Sequence, residues 1–380
     1  MSCRRRWVVL SALAITMACE RGAPPAPVQA DAKPANGMPR LERRTLVLDP
    51  EDRPDNRFMS FDVTEDGRVV YRVTESEGPM LRVIDSTGRR LAAFGRTGEG
   101  PGEIRLLVGI ELFGDTVQLY SSGTARLVDL DLAGQLLRER TAYIGDITLA
   151  WVGDSVDHWE PLPRGPDGMG PRRVVRSLAG EREGRTLLTE ADSIFAAAIT
   201  PRGTNPPLSF PYAATPNRIW VAEPWDYRIR MYDAAGSPLD DVALALPPNR
   251  WGPVGAARMR DQLAKRPKFM RGPNGEAVRL PDATARLDTL ERERIRHFGR
   301  NPLHLDGYGR LWVVGYARDS TAIDVFEGVT HLGRVMLPCY PSAVGTMVAF
   351  ARSGWMAIEC EVEEGDWPTE LQLWRIVERG

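Results

Sequence analysis

Short stretches of alternating apolar and polar residues, separated by tight turns, run along most of the chain. The clearest example lies in the first third of the sequence. Leu106 to Phe113 is an apolar run of strand length, Gly114-Asp115 is a turn dipeptide, and Val117 to Tyr120 is a second run. From Ala125 to Leu132, polar and apolar side chains alternate as they do on the two faces of a strand. This pattern predicts an antiparallel sheet of four short strands.

The same turns recur at a regular spacing. Gly88, Gly134 and Gly180 each close the predicted turn between a third and a fourth strand, and successive glycines are 46 residues apart. The turns of the predicted first hairpins number six: Glu65 to Gly67, Gly114-Asp115, Gly153-Asp154, Pro216-Asn217, Asp306 to Gly309 and Ser353-Gly354. A period in the forties is typical of propeller blades, so the sequence predicts an all-β fold, a six-bladed β-propeller. A two-sheet sandwich with coincidental spacing is the alternative.

The last predicted blade, from Gly345 to Val377, contains only three strands. At the other end of the repeat, Arg44 to Leu48 forms a short apolar strand that precedes the first full blade. We expect this strand to complete the last blade, because a closed ring leaves no strand edge open to pairing with another chain.

A partly helical insertion is predicted between blades four and five, at about residues 247–301. Gly255 to Lys265 and Ala283 to Phe298 have helix-forming composition. Connections between blades cross the same face of the ring, so we expect this insertion, residues 191–207 and the glycine-rich loop Gly95 to Glu103 beside one mouth of the central channel. That loop lacks the Lys-Ser/Thr ending of a phosphate-binding loop and no helix follows it, so we interpret it as structural, with Glu103 bonded to backbone or to a neighbouring arginine.

Residues 1–19 have the pattern of an export signal. Arg4 to Arg6 supply its basic segment, and Trp7 to Ala18 form an apolar segment too short to span a bilayer. The following Cys19 resembles the cysteine of a bacterial lipoprotein cleavage site, although Thr16 stands where leucine is usual. We therefore expect Cys19 to carry a lipid; an ordinary secretory signal with an incidental cysteine is the alternative. Residues 20–43, rich in proline and alanine, are predicted to be a flexible linker before a propeller of residues 44–380.

Composition is that of an ordinary globular chain. Of 380 residues, 43% are hydrophobic and 26% are charged, and a net charge of −2 gives no field that favours nucleic acid. Cys339 and Cys360 are the two cysteines outside the leader and the lipid site. Disulfides persist in the oxidising compartments that exported proteins occupy, so we expect these two to pair; two buried free thiols are the alternative.

Two phrases, FGRTGEGPGEI at Phe94 to Ile104 and DGYGRLWVV at Asp306 to Val314, are similar to those of six-bladed β-propeller proteins of bacterial envelopes, relatives of the NHL-repeat and TolB-like group. The resemblance covers roughly Arg44 to the C-terminus. It implies a lipoprotein on the outer membrane or the periplasmic face that serves as a binding scaffold.

Candidate site residues follow from the phase of the inner strands. If that phase is right, Arg105, Glu111, Tyr212 and His304 lie near the axis and form a polar pocket at the channel mouth. The alternative is that they only solvate a water-filled channel. No paired-histidine motif, complete calcium loop or nucleophile elbow occurs, so we predict neither metal nor cofactor.

The sequence therefore favours a monomeric binding scaffold over an enzyme. Its expected partner is an envelope protein, a peptide or a glycan, with membrane contact only through the lipid and no role for nucleic acid. The alternative is a metal-dependent lyase or lactone hydrolase with its site at the channel, because propellers host both classes.

Overall fold

The alternating stretches of the sequence fold into six four-stranded antiparallel sheets in the computed structural model of the chain. The sheets are the blades of a six-bladed β-propeller, as the turn spacing predicts. The structure describes residues 38–52, 60–73, 78–121, 124–141, 147–152, 155–161, 172–178, 183–189, 211–223, 225, 227–265, 269–271, 277–279, 292, 295, 297–339, 348–361 and 369–378.

Each of the first five blades is built from consecutive strands. Blades one to three comprise β2 (Phe61–Val63), β3 (Val69–Arg72), β4 (Leu81–Ile84), β5 (Arg90–Phe94); β6 (Leu107–Phe113), β7 (Thr116–Ser121), β8 (Arg126–Asp131), β9 (Leu136–Thr141); and β10 (Ile147–Val152), β11 (Ser155–Pro161), β12 (Arg172–Leu178), β13 (Gly184–Thr189). Blades four and five comprise β14 (Tyr212–Ala214), β15 (Arg218–Glu223), β16 (Arg228–Asp233), β17 (Pro238–Ala243); and β20 (Phe298–Leu305), β21 (Leu311–Ala317), β22 (Ser320–Glu327), β23 (Thr330–Leu337). Around the axis, the first strand β10 contacts β14, β14 contacts β20, β20 contacts β24 (Val348–Phe350), β24 contacts β2, and β2 contacts β6. Residues of β2, β6, β14, β20 and β24 line the channel.

Blade six joins the two ends of the described chain. Its strand order is β1 (Arg40–Arg44), β26 (Thr369–Val377), β25 (Trp355–Glu361), β24, and Arg40 pairs with Val377 at the outer edge. The prediction that an N-terminal strand closes the ring is confirmed. The predicted position of that strand, Arg44 to Leu48, is wrong by four residues.

The prediction was misled by the apolar residues after Arg44, which alternate as in a strand but are buried by side-chain packing. Leu46 and Leu48 pack against the hydrophobic cluster that blades one and six share, and the Val47 amide donates to the Thr87 carbonyl at 3.0 Å. The segment is therefore held against blade one by side-chain burial rather than by strand pairing. Met38, which lies upstream of the boundary predicted at residue 44, is buried in the core.

A recurring Asp-x-x-Gly turn explains the glycine spacing. Asp131 Oδ1 accepts hydrogen bonds from the amides of Ala133 and Gln135, at 2.9 and 2.8 Å, and Gly134 follows with a φ of +87°. A Cβ atom on Gly134 would lie 2.3 Å from the Cβ of Phe94 in the preceding blade, so glycine is required both by φ and by space. The same arrangement recurs at the turns that begin at Asp85, Asp233 and Asp306. Gly180 lies outside the described residues.

The insertion after blade four contains a helix, α1 (Pro253–Lys265), and a two-stranded hairpin, β18 (Phe269–Arg271) with β19 (Ala277–Arg279). The helix includes Gly255 to Lys265, the first stretch of helix-forming composition, but the predicted partly helical insertion as a whole is not confirmed, and the hairpin was not predicted. The second stretch, Ala283 to Phe298, lies mostly outside the described residues, and its last residue begins strand β20 instead. Within the described part of the chain, no helix has the length and apolar character needed to cross a membrane.

The strands of a blade alternate in direction, so different turns and connections lie at the two ends of the channel. We call the end that carries the first and third hairpins, such as Gly114-Asp115, the turn end. We call the end that carries the connections between blades, such as residues 95–106, the loop end. Asp319, between β21 and β22 at the loop end, accepts a hydrogen bond from the Gly255 amide at 2.8 Å. Helix α1 is therefore anchored at the loop end, where the insertion was expected.

The glycine-rich loop at this end is stabilised by hydrogen bonds from its backbone amides to glutamate side chains and by one β-bridge. Glu103 Oε2 accepts the Gly100 amide at 2.8 Å, and Thr97 forms a β-bridge with Ile104. Glu139, on the outer strand of blade two, accepts the Gly102 amide at 2.9 Å. The loop's amides are used inside the protein, which agrees with the structural interpretation.

A disulfide links the last two blades in the structure. Cys339 follows β23 of blade five, Cys360 lies on β25 of blade six, and their Cα atoms are 4.9 Å apart. Both residues are buried. The bond fastens blade five to the blade in which the two chain ends meet.

Candidate functional site

A polar cavity of about 280 Å³ lies in the channel. It is lined by the inner strands of blades one, two, four, five and six, and by one residue of the turn that follows β24. Its polar lining residues are Asp62, Glu111, Tyr212, His304 and Arg352. Three of the four residues that the sequence analysis selected therefore lie around one cavity.

The cavity is at the turn end of the channel. Asp62, Glu111 and His304 each lie within three residues of the end of their inner strand, and Arg352 belongs to a first hairpin. Inner strands run from the loop end to the turn end, so residues near their ends converge at the turn end. The cavity therefore lies at the opposite end of the inner strands from the loops that were expected beside the site.

Arg105 does not line this cavity. It precedes β6, whereas Glu111 lies near the end of the same strand, so the two residues stand at opposite ends of the channel. Arg105 is exposed, its guanidinium pairs with Glu99 of the glycine-rich loop, and its amide donates to Ser121 Oγ at 2.9 Å. Its side chain stabilises that loop.

Tyr212 lines the cavity, but its hydroxyl points between blades. It donates to Asp157 Oδ2 at 2.6 Å, and Asp157 also receives two bonds from Arg176, at 2.6 and 2.7 Å. Burial, followed by the negative charge of Asp157, raises the pKa of Tyr212 well above its ordinary value. The phenol therefore ties blade four to blade three and does not act as a base in the channel.

His304 forms part of an aromatic wall. Its ring stacks on Phe350 of blade six, with centroids 5.6 Å apart and planes 19° apart. Phe350 also contacts Trp312, at a centroid distance of 5.4 Å. The packing against Phe350 therefore orients the imidazole of His304. Phe61 of blade one is another aromatic residue that lines the cavity.

Asp62 and Glu111 are two neighbouring carboxylates in this cavity. Asp62 Oδ1 accepts the Val63 amide at 2.8 Å, and Oδ2 accepts the Leu112 amide at 2.7 Å. Asp62, on blade one, is thus fixed against blade two at the residue next to Glu111. Asp62 was not predicted from the sequence, because its strand, Phe61–Val63, is too short to show a clear alternation.

The environment of both carboxyl groups favours their neutral forms. Burial raises the pKa of Asp62 to about 7, against the lowering effect of its two backbone hydrogen bonds. Glu111 faces the space of the channel, yet the surrounding inner strands limit its hydration. This burial, together with the negative charge of Asp62, raises the pKa of Glu111 to about 8. The pair therefore changes its charge near neutral pH.

Most buried carboxylates in the described residues are neutralised by arginine. Asp52, Asp129, Asp157, Asp306 and Asp324 each pair with at least one guanidinium, at distances between 2.6 and 3.1 Å. Asp62 and Glu111 form no ion pair with any residue that the structure describes. Among the described residues that line the cavity, they are the two carboxylates, and neither is neutralised by an arginine.

Among the described residues, no three potential metal ligands converge in the cavity. Only Asp49, Glu51 and Asp52, near the outer edge of blade one, bring three such ligand atoms within 4.8 Å of one another. Arg90 already bonds both Glu51 and Asp52, at 2.7 and 2.8 Å, so this acidic group has a cationic partner.

Fold and site together define this chain as a six-bladed β-propeller with an acidic cavity at the turn end of its channel. No family model matches the chain, and no curated protein matches its sequence.

Solved structures with a similar arrangement of strands share little sequence with this chain. A protein of Bacteroides fragilis that is named a putative exported protein is 9% identical to this chain. The match covers 89% of this chain and 95% of that chain, with a TM-score of 0.46. A member of the DUF4221 family from Bacteroides vulgatus is 9% identical over 90% of this chain and 99% of that chain, with a TM-score of 0.47. A gluconolactonase from Xanthomonas campestris is 12% identical over 91% and 96%, with a TM-score of 0.41. Such low identities and TM-scores carry no information on ligand or activity.

Proposed function

We propose that this chain is an exported, lipid-anchored β-propeller of the bacterial envelope that binds a ligand, or part of a partner, in the cavity at the turn end of its channel. The observation that carries the proposal is the pair Asp62 and Glu111, which faces the cavity without forming an ion pair with any described residue, while the buried carboxylates of Asp129, Asp157 and Asp324 are paired with arginine. Convergent polar groups in a concave, largely preformed site are typical of binding sites.

Export is supported by two sequence features and one structural feature. The leader ends at Cys19, and the phrases at Phe94 to Ile104 and Asp306 to Val314 resemble envelope propellers of the NHL-repeat and TolB-like group. The pairing of Cys339 with Cys360 fits an oxidising compartment. In the structure, both phrases serve the fold, as the glycine-rich loop and as an Asp-x-x-Gly turn.

The binding cavity can be tested by filling it. Ala214 lines the cavity at the end of β14 and carries no charge, so Ala214→Phe should occupy the space without changing the electrostatics. We expect a screen of small molecules and short peptides to find compounds that raise the thermal midpoint of the wild-type chain but not of this variant. Elemental analysis of the purified protein belongs to the same experiment.

Two results would contradict this proposal. Compounds that stabilise wild type and Ala214→Phe equally would place binding elsewhere. Stoichiometric zinc or calcium that is lost in Glu111→Gln or His304→Ala, together with turnover of a lactone, would favour the metal-dependent hydrolase.

The lipid anchor gives a separate prediction. In a bacterial host supplied with an alkyne-labelled fatty acid, the full chain should incorporate the label and fractionate with membranes, because a lipidated cysteine replaces the leader as the anchor. Cys19→Ser should abolish the labelling, whereas Cys3→Ser, a matched change inside the leader, should not. Label retained in Cys19→Ser would exclude Cys19 as the lipidation site.

A further inference from the structure

We infer that the cavity accepts an organic cation, an alkylammonium or alkylguanidinium group, between the carboxylates of Asp62 and Glu111. The group can belong to a small molecule or to a single lysine or arginine side chain of a partner. This inference rests on the proposed function, because it names the chemical class that the same cavity binds.

The geometry prepares the acidic pair in advance. Two backbone amides, of Val63 and Leu112, hold both oxygens of Asp62 at 2.8 and 2.7 Å, so this carboxylate is positioned before a ligand arrives. Leu112 follows Glu111 on β6, which brings the second carboxyl group beside the first. A donor that enters between them gains two charge-assisted hydrogen bonds at little cost in ordering the protein.

The charge balance of the cavity calls for a cation. Burial is the main cause that raises the pKa values of both groups, and a neighbouring negative charge adds to it, Glu65 for Asp62 and Asp62 for Glu111, so that both carboxyl groups take up protons near neutral pH. A ligand cation would replace those protons. The groups that face the pair are Glu65 in the turn after β2, His304 on β20 and Arg352 after β24, while the Tyr212 hydroxyl is bonded to Asp157.

The size and walls of the cavity favour an organic ion. A volume of about 280 Å³ is at the lower limit for a small-molecule pocket, so it suits a short chain or one side chain rather than a folded surface. Phe61 and Phe350 line the cavity, and aromatic rings attract alkylammonium and guanidinium groups. The described residues do not bring a third metal ligand to the pair, which favours hydrogen-bonded recognition over coordination.

Titration calorimetry with matched probes tests the inference. The probes are butylamine, butylguanidinium, 1-butanol and butyrate, and the protein is residues 20–380. We expect both cations to bind wild type more tightly than the alcohol and butyrate not to bind. Glu111→Gln and Asp62→Asn should each weaken cation binding about tenfold or more. Arg352→Gln should strengthen it about twofold, since it removes a positive charge from the rim. Glu99→Gln, at the loop end, is the control and should change nothing.

The pH dependence gives a readout that needs no variant. Protons and ligand cations compete for the same carboxylates, so cation affinity should rise as pH increases from 6 to 9, through the pKa values of about 7 and 8. An alkylamine stays protonated through this range, since such amines have pKa values of about 10.4. Binding heats in two buffers of different ionisation enthalpy should show proton release at pH 7.

The outcomes separate the inference from the proposed function. If the cations fail to bind, or bind with no dependence on pH or on Glu111, while another class of ligand stabilises wild type and not Ala214→Phe, the cavity is a binding site and the organic-cation inference is wrong. If calcium, magnesium or zinc displaces butylamine competitively and binds more tightly, the pair is a metal site and the inference is again wrong. If no ligand distinguishes Ala214→Phe from wild type, both the inference and the proposed function fail.

Discussion

A chain that begins at Thr45 is expected to lose the closed ring. It lacks β1, which pairs with β26, and it lacks Met38, which is buried against blades five and six. Truncating a buried methionine to alanine alone costs about 2–5 kcal/mol, and the open edge of β26 adds unpaired backbone groups. We therefore expect the thermal midpoint to fall by about 10 °C or more, with self-association through the open edge, measured by calorimetry and light scattering.

The matched control for this truncation is a chain that begins at Gly37, which keeps both Met38 and β1. It should unfold at the same temperature as residues 20–380. A synthetic peptide of residues 37–44 added to the shorter chain should restore part of the lost stability, because it can pair with β26. Equal stability of the chains that begin at Gly37 and at Thr45 would show that β1 does not close the ring.

Asp157→Ala is expected to be the most damaging single substitution away from the ring closure. Asp157 is fully buried, and its two oxygens bond Arg176 of the adjacent strand and Tyr212 of blade four. Removing it leaves a largely buried guanidinium without its partner, which costs about 3–5 kcal/mol in comparable buried pairs. Denaturant unfolding followed by tryptophan fluorescence should show a loss of this size.

Two comparison variants serve as controls for the expected loss of stability in Asp157→Ala. Tyr212→Phe removes one hydrogen bond from the same cluster and should cost only about 1–2 kcal/mol. Asp241→Ala removes a carboxylate that pairs with Arg228 and Arg230 on the outer strands of blade four, where exposure limits its contribution to about 1 kcal/mol or less. A loss for Asp157→Ala no larger than that for Asp241→Ala would contradict a buried, uncompensated charge.

The blade repeat could be predicted from the sequence because its signals are local. Turns such as Asp131 to Gly134 use neighbouring residues, and a glycine held at positive φ leaves a regular mark. The closing strand was placed four residues late because Leu46 and Leu48 alternate as a strand does, while their burial is against another blade. An alternating sequence pattern does not distinguish a strand that pairs with a neighbouring strand from a segment whose side chains are buried against another blade.

The site could be predicted only in part for a related reason. Strand phase placed Glu111 and His304 on the axis, but phase does not say which end of the channel a residue occupies, and so Arg105 was grouped with them. Asp62 lies in a strand of only three residues, too short for a clear alternation. The partner of the Tyr212 hydroxyl is 55 residues away on another blade, and only the folded ring brings the two together.

The direction in which β1 enters the ring fixes an orientation. Its first residue, Arg40, pairs with the last residue of β26, and Met38 packs near the start of β23, where a Cβ on Gly333 would lie 2.4 Å from its sulfur. Both neighbours belong to the side of the disc that carries the first hairpins and the acidic pocket. The described chain therefore enters the propeller on the side of the acidic pocket, whereas helix α1 lies at the opposite end of the channel.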